Sequence, residues 1–374
     1  MNDDSALIQP TLGEIAWFFL KLGTLAFGGP AAHVAIMESQ LVGRLRWISR
    51  EEFLDLLGAS NLLPGPSSTE LAIYIGYRLK GVAGLLAAGI CFILPAALIV
   101  GFLAWIYVRY GSLPGITGVL RGVKPVVIAL VLQALVRLAR TALKTRYLTL
   151  ISLICVALAL IPLNPLAVLC IGGVLSAIGR DAAPPAPALA TLTFRSAAIS
   201  AAQLGIASIF GAFLKIGCIV FGSGYVLLAF LQDDLVLKRH WLSSDQLLDA
   251  VAIGQATPGP VFTTATFIGY LLGGPKGAAA ATAAIFLPAF VLVALTGRFI
   301  PRLRVSWYAG AFLDGLNVAS LSLMAVVLAA LTRSAIVDVK TAMIAVVGAM
   351  LLLGTRINPT WLVVAGAIAG VLGR

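Results

Sequence analysis

Apolar positions run along nearly the whole chain and fall into long blocks instead of the narrow stripe of a soluble amphipathic helix. About 20 apolar residues span a bilayer, and blocks at 82–108 and 116–136 reach that length, with shorter ones at 147–161 and 165–179. Polar residues collect between blocks, with one exception. In "NLLPGPSSTELAIYIGY" (Asn61 to Tyr77) two prolines and a glycine interrupt an apolar run, and two serines, a threonine and a glutamate follow at once. "QATPGPVFTTATFIGY" (Gln255 to Tyr270) repeats the arrangement. Pro and Gly break helices, and the pieces on either side are roughly 14 residues, too short to cross separately. Each Pro-Gly-Pro therefore predicts a re-entrant helical hairpin.

The chain repeats itself more widely. "FLKLGTLAFGG" from Phe19 matches "FLKIGCIVFGS" from Phe213, and "WISREEFLDLLGASNLLPGP" from Trp47 matches "WLSSDQLLDAVAIGQATPGP" from Trp241, both 194 residues later. "IGY" at Ile75 recurs at Ile268, "ILPA" at Ile93 as "FLPA" at Phe286, and "LNP" at Leu163 as "INP" at Ile357. The predicted organisation is an N-terminal transporter repeat at 11–179, a Pro/Ala-rich linker at 180–204 and a second repeat at 205–374. Five spans per half is an odd number, so equivalent loops face opposite sides and the repeats have inverted topology. Basic loops agree: Arg137 to Arg146 holds four basic residues, while its partner from Arg333 to Lys340 holds two and an aspartate. Arg298 to Arg304 holds three against Arg109 alone. With the N-terminus outside, the richer loops share the cytoplasmic side, and inverted repeats are typical of secondary transporters.

Composition agrees with the pattern. Of 374 residues, 60% are hydrophobic and 11% charged, mean hydropathy is +1.03, and a soluble domain averages about a quarter charged. The fold class is all-α polytopic membrane protein, with the lipid bilayer as its surroundings. The acidic start, residues 1–13, has no signal-peptide pattern. The net charge of +11 reads as loop topology, with attraction of an anionic solute as the other explanation; nucleic acid is not an expected partner. Cys91, Cys155, Cys170 and Cys218 lie singly in apolar blocks, which predicts packing. With two histidines, His33 and His240, no zinc motif and no phosphate-binding loop, the chain predicts no metal, no cofactor, no ATPase and no enzyme.

Some polar residues remain unexplained by packing. Ser49 with Glu52, Ser243 with Gln246 and Ser67 with Glu70 have capping-box spacing, which starts a helix at each place. A half-helix starting at Ser67 points free N–H groups and partial positive charge into the membrane, an anion site by construction. The predicted binding site comprises Pro64, Gly65, Pro66, Ser67, Ser68 and Thr69, with Pro258, Gly259, Pro260, Thr263 and Thr264. Lys21 and Lys215 lie mid-span, where a lysine costs about 2.5–3.5 kcal/mol; Gly28, with Gly29, and Gly222 follow two turns on. Snorkelling is one reading; supplying charge to an anion between the halves is the other. Coupling or pathway candidates are Glu70, Asp55, Asp249, His33, Arg121, Lys124, Asn61 and Gln255. For Glu70 capping competes with proton coupling, and for the aspartates capping or interface solvation competes with accepting protons or pairing to the two lysines. His33 reads first as a loop histidine, with a group titrating near neutrality as the alternative. Gly118 with Gly122, and Gly366 with Gly370, are small-residue pairs for helix packing.

At "FGGP" (Phe27), "LPGP" (Leu63), "IGYRLKG" (Ile75), "FGSG" (Phe221) and "TPGP" (Thr257) the sequence resembles the chromate ion transporter family in its two-domain form. "FGSG" lacks the proline of "FGGP". The resemblance covers nearly the whole chain and implies export of chromate across the bacterial inner membrane, with chromate resistance. Sulfate is the close structural mimic. The residues alone reach an anion carrier; a channel, a sulfate transporter or, further off, a membrane-embedded enzyme are the rivals, and a homodimer is one assembly open to it.

Overall fold

The computed structural model describes residues 7–61, 63–111, 113–161, 163–179, 205–220, 226–297, 307–355, 357 and 359–372. The linker at 180–204, the "FGSG" motif with Gly222 and the loop at 298–304 lie outside them. In the first half, α1 (Leu12–Leu25) starts from a Thr11–Glu14 capping box. Then come α2 (Gly29–Met37), continued by a π-helical turn to Arg44, α3 (Arg50–Ser60) and α4 (Ser67–Tyr110). α5 (Pro114–Ala142), α6 (Arg146–Ala159) and α7 (Pro165–Ile178) complete it. The second half gives α8 (Ile206–Ile219), α9 (Leu227–Leu231) with a π-helical turn to Lys238, and α10 (Ser244–Ala256). α11 (Thr264–Thr296), α12 (Trp307–Ala335), α13 (Val339–Gly354) and α14 (Pro359–Leu372) follow.

α4 and α11 are each two arms joined by a reversal. Lys80 and Gly81 leave helical geometry, Gly81 at φ +56°, and Gly273 and Gly274 do so at the equivalent place, Gly274 at φ +60°. Only glycine takes that φ without strain. The arms fold back on each other: Gly76 and Gly84 touch through their backbones, as do Gly269 and Gly277, leaving no room for a Cβ at any of the four. Farther from the turn, the Thr266 and Thr282 hydroxyls meet at 2.7 Å.

The long arm of α4 shows how the pattern sorts. Val82, Leu86, Ile90, Leu94, Leu98 and Phe102 are exposed at four-residue intervals, whereas Leu85, Ala88, Phe92, Ala96 and Val100 are buried. An apolar outer stripe on an apolar inner one is a helix that meets lipid on one face. Helices Ser67–Tyr110, Ile116–Ala142, Val261–Thr296 and Gly310–Ala335 are long and apolar enough to cross a membrane. Against the expected five spans per half, two helices of full length per half are found among the described residues. α1, α6, α7, α8, α13 and α14 have only 14 to 16 residues, roughly 21–24 Å at 1.5 Å per residue.

The halves interleave. α1 packs on α4 and α8 on α11, while α4 and α11 pack together at the centre. Beyond that, α12 carries α6 and α7 of the other half, and α5 carries α13 and α14. The predicted small-residue pairs meet here: a Cβ on Gly122 would lie 2.7 Å from Gly370 Cα, and one on Gly370 would lie 2.6 Å from Gly122 N. Gly315, the equivalent of Gly122, touches Gly172 in the same way. Contacts that exchange under the repeat are the mark of a two-fold relation.

Candidate functional site

Each Pro-Gly-Pro follows a helix and precedes another. α3 starts at Ser49, whose side chain accepts from Glu52 N–H, and ends at Asn61; α10 starts from a complete Ser243–Gln246 box and ends at Thr257. Gly65 and Gly259 turn the chain at φ +142° and +92°. Each tip then reaches the other half. Gly65 N–H donates to the Val220 carbonyl at 2.7 Å, and Gly259 N–H donates to the Ala26 carbonyl at 3.1 Å. Ala26 and Val220 are equivalent residues closing the two first helices. The second tip is wedged tightly: a Cβ on Gly259 would lie 2.6 Å from Ala96 Cβ and 3.0 Å from the Gly23 carbonyl.

His33 ties these parts together. It is fully buried on α2, within a helix and not in a loop. Gly28 and Gly29, at φ +108° and +72°, let the chain pass at once from α1 into α2. His33 Nε2 lies 3.2 Å from the Ala26 carbonyl and Nδ1 lies 3.4 Å from Ser68 Oγ. A carbonyl only accepts, so in the neutral ring Nε2 carries the hydrogen and Nδ1 accepts from Ser68. One carbonyl thus receives the second tip and the histidine, whose other nitrogen holds the start of α4.

The predicted capping box at Ser67 is not formed. Pro66 is the cap residue, it has no N–H for a glutamate to reach, and α4 starts without a side-chain cap. Glu70 is therefore released inward. It is completely buried, and among the described residues neither carboxylate oxygen has a hydrogen-bond partner. Oε1 lies 2.5 Å from where a Cβ on Gly65 would stand. Thr69 Oγ1 is also buried without a partner. The second-half hydroxyls are committed locally: Thr263 donates to Pro260 O at 2.7 Å and Thr264 to Val261 O at 2.8 Å.

The two lysines do not meet between the halves. Lys21 is exposed on α1, while Lys215 donates to Asp234 at 2.7 Å, with Arg239 on the other carboxylate oxygen at 2.8 Å. Gln40 stands where Asp234 would be in the first half, so the environments of the lysines differ. Asp249 pairs with a cation, but with Lys124 at 3.3 Å, which also reaches Asp245 at 3.0 Å; the Tyr107 hydroxyl donates to Asp249 at 2.8 Å. Arg121 pairs with Asp338 at 2.5 Å. Hydrogen bonds from Thr341 at the start of α13, with Arg121 beside it, hold the Asp338 carboxyl below its ordinary range. Tyr107, Arg121, Lys124 and Asp249, with Thr117 and Ser334, line a cavity of about 390 Å³. Asp55 is half-buried on α3, Asn61 is exposed, and Gln255 is half-buried, its Nε2 without a hydrogen-bond partner among the described residues.

Tyr107, Asp234, Arg239, Asp245 and Asp338 were not singled out by the sequence pattern. They are ordinary residues at helix ends, made notable only by what faces them. Among the described residues no group of His, Cys, Asp and Glu is placed to hold a metal.

The chain matches the model of the chromate transporter family twice, over residues 13–177 and 207–371. It is 36% identical to a chromate transport protein of Cupriavidus metallidurans over 369 residues, covering 96% of this chain and 92% of the relative. It is 32% identical to a probable chromate transport protein of Synechococcus elongatus over 398 residues, covering 100% and 99%. A chromate transport protein of Pseudomonas aeruginosa is 32% identical over 323 residues, covering 82% and 77%. No solved structure matches.

Proposed function

The chain belongs to the chromate transporter family, and from that premise we propose that this multi-pass membrane protein is a secondary transporter exporting chromate across the bacterial inner membrane, which confers chromate resistance. Residues 11–179 and 205–374 act as inverted repeats, and α3 with the short arm of α4, like α10 with that of α11, is a re-entrant hairpin. The oxyanion is held at the junction of the two tips, among Gly65, Ser68, Thr69, His33 and Gly259. One observation carries this reading: each tip glycine donates its N–H to the carbonyl closing the first helix of the opposite half. A site built from both repeats can open to either side as the repeats rock against each other. The membrane potential alone favours exit of a dianion, by about 2.3 kcal/mol per charge per 100 mV.

Labelled chromate flux in proteoliposomes tests the proposal. Saturable flux driven by an imposed potential, and its loss in Gly65→Leu and Gly259→Leu proteins that remain monodisperse, is the expected result. Flux no faster than in protein-free liposomes overturns transport, and unaltered flux in both variants overturns the site.

A further inference from the structure

We infer that Glu70 is the binding site of a second transported species, a proton, which is taken up with the oxyanion and carried in the same direction. The inference rests on the tip site proposed above and specifies what that site binds.

Three observations converge on Glu70. It is fully buried, both carboxylate oxygens lack a partner among the described residues, and it lies against Gly65 at the tip of the first hairpin. An isolated carboxylate in such a place is held as the neutral acid. The acid has an O–H with nothing to donate to, two residues from Ser68 and its link through His33 to the second tip. A tetrahedral oxyanion carries acceptors only. The acid's hydrogen is what such a ligand needs, whereas an ionised Glu70 would repel it.

The elements packed against this arm bring few competing charges. α2 brings His33, bonded to Ser68 and Ala26. α3 brings Asp55, with Glu52 paired to Arg78. α1 brings Lys21, turned to the exposed surface, and α10 brings Asp249, held by Lys124 and Tyr107. On its own arm Tyr74 is bonded to Thr296 of α11 at 2.6 Å. No bond from any of these to Glu70 is formed among the described residues.

Proton and oxyanion therefore bind cooperatively, and linkage makes the effect reciprocal. Chromate binding to the purified full-length protein is measured by calorimetry at several pH values, in buffers of different ionisation enthalpy. Below the pH at which free Glu70 ionises, the wild type is expected to bind the oxyanion with no proton uptake at this residue; above it, to take up one proton per oxyanion and lose about tenfold in affinity per pH unit. Glu70→Gln, which keeps the hydrogen-bond donor, binds chromate without that uptake; titration of chromate itself persists in the variant and is subtracted. Proton release at any pH, no uptake in the wild type even at the most alkaline pH at which chromate binds, or equal uptake in both proteins, overturns the inference while leaving the binding site standing. If Glu70→Gln does not fold, the wild-type proton count decides. Absence of chromate binding at every pH overturns the tip site, and the inference with it.

Discussion

Gly65 and Gly259 lie 194 residues apart and make the same bond in exchanged directions, Gly65 N–H to Val220 and Gly259 N–H to Ala26. Each tip is thereby fastened to the half it does not belong to. Gly259→Ala places a Cβ 2.6 Å from Ala96 Cβ, at φ +92°. Strain and overpacking together are expected to cost about 1–3 kcal/mol, read as a lower unfolding midpoint in detergent. Gly13→Ala, which meets nothing within 4 Å, serves as the control. Equal midpoints for the two variants would mean that the second tip is not seated in this way.

Asp234 is shared by Lys215 and Arg239 and is nearly buried. Asp234→Ala strands two cations and is expected to destabilise more than Lys215→Ala, which leaves the aspartate with Arg239. A charged hydrogen bond is worth about 1.5–3 kcal/mol. Thermal unfolding of the two single variants and the double variant should show strong non-additivity. Additive losses would deny the pairing.

Lys124 and Asp249 are 16% and 5% exposed. Lys124→Gln leaves Asp249 facing Asp245 without a cation, a loss of the order of 3–5 kcal/mol for a buried pair. Tyr107→Phe removes only one donor and is expected to cost about half as much. If Tyr107→Phe proved the more damaging in unfolding measurements, the cluster would not be organised around the lysine.

Lys21 offers a contrast. It is exposed, so Lys21→Leu is expected to leave chromate flux unchanged and to ease membrane insertion. Abolished flux in well-folded Lys21→Leu would return this lysine to the site.

Much of the architecture was legible because the repeat wrote it twice. The Pro-Gly-Pro tips, the block boundaries of α4 to α7 and the small-residue pairs all follow from residue type and spacing. Which way a mid-helix residue faces does not: Lys21 and Lys215 occupy equivalent positions, yet only Lys215 has an aspartate opposite, supplied from the π-helical turn after α9. His33 reads first as a loop residue because two glycines precede it, though the Pro30 that follows them belongs to the first turn of a helix. Glu70 carried a capping signature, but the proline at the cap removed the N–H on which that signature depends. The exchange of α6–α7 and α13–α14 between halves was invisible, since a repeat reveals which segments are alike and not which are neighbours.

That exchange bears on how the chain is made. The Gly118–Gly122 face of α5 is synthesised well before its partner, Gly366–Gly370 on α14. This surface of the first half therefore waits in the bilayer without its partner until α14 arrives. Contacts so distant in sequence slow assembly, and a chain stopped before Pro359 would insert its earlier helices yet leave the Gly118–Gly122 face of α5 without the helix that packs against it.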